Sequence, residues 1–229
     1  MAIKLEKGGA SHNITIAKLQ VGLGWDPIIS NVNETFDLDV SAFMLGASKK
    51  IISDDYLVYY NSEKRVRPDN LLRLENKNST LYPPYLDEDG KEITSEEHWR
   101  RKTRPVDPDF SVYGSIDDME GVESDGGDDE TMNIDLRKIN PLISEIVIAV
   151  SIYDFQKWNQ TFGKVNDAYV RILNEATGEE MFRYDLQGDF AINTSAEFCS
   201  IYRDAGLWKV KALGFGHDNG LQSLLDIYN

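Results

Sequence analysis

Carboxylates are the side chains of this sequence whose spacing could support chemistry. Asp37 and Asp39 alternate with apolar residues in Phe36-Asp37-Leu38-Asp39-Val40. On a strand, residues i and i+2 leave the same face. The two carboxyl groups are therefore expected side by side, with Phe36 and Leu38 turned to the core. Such a pair is an acid/base couple, half of a metal site, or a solvated strand edge, and no nucleophile or evident substrate cleft accompanies it. A second concentration runs from Ser115 to Glu130, with eight acidic residues and no basic one: Asp117, Asp118, Glu120, Glu123, Asp125, Asp128, Asp129 and Glu130. Gly126 and Gly127 let the backbone bend sharply there. Carbonyls turned inward among carboxylates are the hard oxygen ligands of calcium, which takes about six to eight of them. The same composition also describes a plain solvated loop, and EF-hand spacing is absent.

Other chemistries find little support. His12, His98 and His217 are isolated, and the one cysteine, Cys199, has no partner for a disulfide or a zinc site. Cys199 is expected as a small core residue in a reducing cytoplasm. Val21-Gly22-Leu23-Gly24-Trp25-Asp26 contains a G-x-G, but without the third glycine and the βαβ setting of a dinucleotide site. A tight turn ahead of Trp25 is the expected use of its glycines.

The elements that must position these residues are mostly strands. Phe36 to Ala42 and Met132 to Leu136 alternate with period two, and Ile146 to Ile152 is an apolar, β-branched run suited to burial on both faces. Ala176-Thr177-Gly178 and Asp204-Ala205-Gly206 each divide two such runs, which marks two hairpins. Short helices are expected near Phe155 to Phe162 and Leu221 to Tyr228. Many short strands with regular turns predict an all-β fold, a sandwich or barrel. Residues 64–108 depart from this pattern. They hold five of the seven prolines and little periodicity, so they are expected to be an insertion within a single domain spanning 1–229.

The formal net charge is −15. Residues 63–108 hold ten basic and ten acidic residues, so the remainder, with 14 basic and 29 acidic, carries all of it. Such a body repels phosphate backbones and anionic lipid, so no nucleic-acid partner is expected. No apolar run is long enough to span a membrane, and the lysines at the N-terminus are not followed by the apolar stretch of a signal peptide.

Several short blocks, taken in order, resemble a known family. They are Lys7-Gly8-Gly9, Val21 to Asp26, Phe36-Asp37-Leu38-Asp39-Val40-Ser41-Ala42-Phe43, Tyr60-Asn61 and Gly127-Asp128-Asp129-Glu130. Ile152-Tyr153-Asp154, Phe162-Gly163-Lys164-Val165, Arg183-Tyr184-Asp185-Leu186, Tyr202-Arg203 and Leu207-Trp208-Lys209-Val210 follow. Together they resemble the signature blocks of TerD-like tellurium-resistance proteins. The resemblance implies a β-sandwich of two mostly antiparallel sheets with a few short helices. It also implies a bacterial, cytoplasmic stress-response role without catalysis, one or two bound Ca2+ ions, and protein partners within a stress-resistance system. Carried over residue by residue, the metal role falls to Asp37, Asp39, Asp128, Asp129 and Glu130, with Asp26, Asn61 and Asp154 as further candidates. A turn cap at Asp26 and a helix N-cap at Asp154 are competing explanations for those two. Two departures are noted: the link between Asn61 and the acidic loop is longer than the family pattern, and Ser200 stands where the family commonly has Glu. The alternatives are an acidic protein-interaction scaffold whose metal is incidental and a small-ligand, cyclic-nucleotide-like binder.

Overall fold

Alternation of apolar and polar residues builds two facing sheets. The computed structural model describes residues 2–27, 36–67, 70–76, 90, 102–116, 127–185 and 190–229, with only the backbone path given for 70–76. In chain order the strands are β1 (Ile3–Lys4), β2 (His12–Asn13), β3 (Lys18–Pro27), β4 (Leu38–Leu45), β5 (Leu57–Val58), β6 (Lys64–Arg67), β7 (Asn70–Asn76) and β8 (Arg104–Pro105). They continue as β9 (Val112–Gly114), β10 (Glu130–Asp135), β11 (Glu145–Ile152), β12 (Val165–Asn174), β13 (Glu180–Asp185), β14 (Ser195–Asp204) and β15 (Leu207–His217). Two helices are described, α1 (Phe155–Trp158) and α2 (Gly220–Tyr228).

Sheet A has the order β1-β13-β12-β3-β10-β9, and sheet B the order β2-β15-β14-β11-β4-β5. All neighbours are antiparallel except β1 and β13. The fold is the all-β sandwich that the alternation predicts. Leu19, Val21 and Leu23 from sheet A meet Leu38, Val40, Ile146 and Ile148 from sheet B in one continuous core. Cys199 sits there, 1% exposed, and burial pushes its thiol up to about 12.

Strand β4 is buried along its whole length because both of its faces are covered. Leu38, Val40, Ala42 and Met44 face the sandwich core, whereas Phe43 and Leu45 pack outward with Val147, Ala149, Leu224 and Tyr228 under helix α2. The Asp204-Ala205-Gly206 signal gives the β14–β15 hairpin, with Asp204 opposite Leu207 and positive φ at both Ala205 and Gly206. This is the turn chemistry that matches strand twist. The helix expected near Phe155–Phe162 is shorter in the structure: α1 closes at Trp158 and a 3-10 turn follows at Phe162–Lys164.

Within 64–108, strands β6, β7 and β8 form a small third sheet, ordered β7-β6-β8. Its ends are part of the body: Arg65, Val66, Thr103, Val106 and Asp107 are each at most 1% exposed. The prolines do not prevent this, because Pro105 lies in a two-residue strand beside β6, where a missing N–H is tolerated.

Candidate functional site

Asp39 leads into the site. It lies on β4 opposite Ser151 of β11, on the outer face of sheet B, and is 1% exposed. Beyond the part of that face covered by α2, Asp39 opens into a hollow of about 230 Å3. Tyr60, Ser151, Tyr153, Asp154 and the first residues of α2, Gly220 to Gln222, line it as well. Each wall has a local cause. Asp154 takes a left-handed conformation (φ 46°) that turns the chain from β11 into α1. Its side chain makes no capping hydrogen bond, so helix capping does not account for the residue. Asp37 is 6% exposed, and its carbonyl accepts from Tyr153 N at 2.9 Å, which holds Asp37 beside the Tyr153-Asp154 turn. Gly220 N donates to Thr194 Oγ1 (2.8 Å) and Ser195 Oγ donates to Gly220 O (2.8 Å), fixing the start of α2 on sheet B.

The Gly127-Asp128-Asp129-Glu130 block sends its three carboxylates to three places. Asp128 lies on the outer face of sheet A, over Gly22, and accepts from Arg171 Nε (2.7 Å) and from the Tyr169 hydroxyl (3.1 Å). Burial and then the neighbouring Asp128 push the Tyr169 phenol up to about 12. Asp129 Oδ2 accepts from Trp25 N at 2.9 Å. Glu130 Oε2 crosses to sheet B and accepts from Val40 N at 2.7 Å, at the residue between Asp39 and Ser41. The block thus reaches the Asp37/Asp39 strand through Glu130, while Asp128 is directed away from it.

The remaining candidates lie apart. Asp26 is the penultimate residue of β3, exposed and opposite Asn166. Asn61 hydrogen-bonds Tyr59 and lines a separate hollow of about 550 Å3 with Asp54, Asp55 and Glu63. Asp117, Asp118, Glu120, Glu123 and Asp125 lie outside the described residues. Among the described residues, no three His, Cys, Asp or Glu side chains gather closely enough to hold a metal ion between them. The chemistry of the hollow nonetheless fits a hard cation, with Asp39, Asp154, Ser151 and Tyr60 supplying oxygen and neither histidine nor cysteine in its lining. The Ser41 hydroxyl, on the same face of β4 as Asp39, is buried and finds no hydrogen-bond partner among the described residues.

Gly22 and Gly24 are not at a turn. They lie mid-strand in β3, where an added Cβ would fall 2.0 Å from Asp128 Oδ2 and 2.6 Å from the Tyr169 ring respectively. The glycines are needed because Asp128 and Tyr169 occupy that face. Tyr169-x-Arg171 at strand spacing was the sequence signal for this arrangement. Ser200, the noted departure, donates its hydroxyl to Glu145. That bond and Lys49 outweigh burial and hold the Glu145 carboxyl below the usual range.

These features define a class: a two-sheet antiparallel sandwich with an oxygen-lined hollow at one end and an acidic block joining the sheets. A crystal structure of a TerD homologue from Streptomyces coelicolor A3(2) shares the fold, with a TM-score of 0.60 at 18% identity over 91% of this chain and 95% of that one. The TerD domain model matches residues 1–94 and 103–228, and the chain belongs to that family. It is 32% identical to general stress protein 16U of Bacillus subtilis over 232 residues, covering 100% of this chain and 97% of that protein. It is 31% identical to the tellurium resistance protein TerD of an Alcaligenes species over 235 residues, with coverage of 100% and 97%. YceE of Bacillus subtilis is 34% identical over 232 residues, covering 100% and 98%. The alignments and the family match therefore run through residues 64–94 and 103–108 as well, so length there is shared with full-length relatives.

Proposed function

We propose that this chain is a bacterial, cytoplasmic stress-resistance module of the TerD family that binds one or two calcium ions and acts by binding, not catalysis. The observation that carries the reading is the placement of Asp39. This carboxylate is almost fully buried, yet it borders a hollow that Asp154, an exposed residue, also lines; the Asp154 carboxylate neither accepts a hydrogen bond nor pairs with a cation among the described residues. Clustered carboxylates repel one another unless a cation is shared between them. Asp39 and Asp154, with Asp37 behind them, would hold the ion, leaving its remaining places to backbone carbonyls, hydroxyls and water. Bound calcium would neutralise the carboxylates and draw together β4, the β11–α1 turn and the start of α2. The resulting surface would be offered to other proteins of a stress-resistance system, in keeping with the names of the relatives.

Differential scanning calorimetry tests this. A ligand that binds only the folded state stabilises it by about 2.7 kcal/mol at a hundred times Kd. Millimolar calcium should raise the melting temperature by several degrees, chelator should reverse the rise, and magnesium should do less because its small octahedral shell adapts poorly. Superimposable melts in calcium and in chelator would reject calcium binding and leave an acidic interaction scaffold.

A further inference from the structure

The largest fully buried side chain in the described protein is a charged one, Arg65 of β6, 1% exposed. A guanidinium is tolerated in such a place only when hydrogen bonds replace its hydration. Arg65 Nε donates to Thr103 Oγ1 (2.7 Å), Nη2 to Thr103 O (3.0 Å), and Nη1 to Tyr60 O (2.7 Å). These bonds join β6 to the chain entering β8 and to the turn that follows β5. They fasten the two ends of the 64–108 segment to each other and both to Tyr60. Arg65 and Glu130 also line the same narrow space beside Val40 and Tyr60.

Tyr60 is the residue through which this matters. Its side chain lines the hollow that holds Asp39 and Asp154. Its ring meets that of Tyr153 edge-on, with centroids 5.5 Å apart at 83°, and that of Tyr59 at 5.2 Å and 72°. Tyr153 directly precedes Asp154. A chain of contacts therefore runs from Arg65 through the Tyr60 backbone and the Tyr60–Tyr153 ring pair to the turn that presents Asp154. The Tyr60 carbonyl accepts from the Arg65 guanidinium, which fixes the backbone that carries the Tyr60 ring.

We infer that Arg65 is a positioning residue of this hollow: by holding the Tyr60 carbonyl together with Thr103 it sets Tyr60 against Tyr153. The inference rests on the calcium reading for its consequence, though not for its geometry. Arginine suits the task because its planar fork can hold two oxygens of Thr103 and one of Tyr60 together, which the single ammonium of lysine cannot.

The test compares wild type, Arg65→Lys and Thr103→Val, the last removing one bond and leaving the charge in place. Two readouts are followed: nuclear Overhauser contacts between the Tyr60 and Tyr153 rings in metal-free protein, and terbium titration monitored by tyrosine- and tryptophan-sensitised luminescence. Arg65→Lys should lose the ring contacts and bind terbium about tenfold more weakly, a change of about 1.4 kcal/mol; Thr103→Val should fall between it and wild type. If Arg65→Lys lowers the melting temperature but keeps both the ring contacts and the terbium affinity, Arg65 is a structural residue only and the inference fails. If wild type binds neither terbium nor calcium, the calcium reading falls, and retention or loss of the ring contacts still decides the role of Arg65.

Discussion

Two carboxylates of this protein, Asp128 and Asp39, are both removed from water, but in opposite manners. Asp128 lies in a notch over Gly22 with a guanidinium and a phenol already upon it. Asp39 lies on the outer face of a sheet and borders a hollow that Asp154 also lines. The first arrangement has its counter-charge built into the protein, in Arg171. The second borders open space that Ser151 and Tyr60 also line. Acidity in a sequence therefore does not tell one kind of place from the other.

That contrast can be broken experimentally, beginning where the effect is greatest. Gly22→Ala puts a Cβ 2.0 Å from Asp128 Oδ2, so Asp128 must leave Arg171 and Tyr169. Destabilisation of about 3 kcal/mol is expected in chemical denaturation, from lost charge-assisted bonds and overpacking, with the calcium response intact. Asp128→Asn keeps the shape but weakens the bond to Arg171, and about 2 kcal/mol should be lost, again without effect on calcium. Asp39→Asn should reverse the pattern. Calcium affinity measured by calorimetry falls at least about tenfold, or about 1.4 kcal/mol, while metal-free stability holds or rises as repulsion is relieved. If Asp128→Asn and Asp39→Asn reduce calcium affinity alike, the distinction between the two sites is lost.

The smallest effect concerns Asp135, a third carboxylate with a built-in partner. A hydrogen bond from Arg137 holds its pKa below the ordinary value despite burial. A depressed carboxylate contributes stability in full above its unfolded value of about 3.9 and loses it as pH falls through the folded value. Wild type should therefore exceed Arg137→Met in urea stability at neutral pH, by a small margin since Arg137 is exposed. The difference should close as pH drops below about 4. A difference that persisted at the lowest pH would mean Arg137 acts by packing instead.

The sandwich was legible because its signals are local. Alternation in Phe36–Ala42, the unbroken apolar run at Ile146–Ile152 and the Ala205-Gly206 turn each require only neighbouring residues to be interpreted. The pairing of Asp37 and Asp39 on one face followed from the same period of two. The partners of the GDDE block were not legible. Asp128 meets Arg171 across 43 residues and Glu130 meets Val40 across 90, and no short-range rule reports contacts made by folding. Gly22 and Gly24 were misjudged for the same reason: a glycine needed for a distant side chain looks in sequence like one needed for a turn. The 64–108 segment was read by its prolines, while the residues that bind it to the body, Arg65, Val66, Thr103 and Val106, form no periodic apolar run.

Helix α2 has a practical consequence at its far end. The Tyr228 hydroxyl donates to Glu197 Oε2 at 2.5 Å, Glu197 Oε1 pairs with His217 Nε2 at 2.8 Å, and Lys50 Nζ meets the carbonyls of Ile227 and Asn229. The same nine-residue helix supplies Gly220, Leu221 and Gln222 to the wall of the Asp39 hollow. An affinity tag or fusion partner joined after Asn229 would begin one residue from the anchor that seats this wall. Protein for calcium titration is better tagged at the opposite terminus, where Lys4 and Leu5 join the edge of sheet A, away from the hollow being measured.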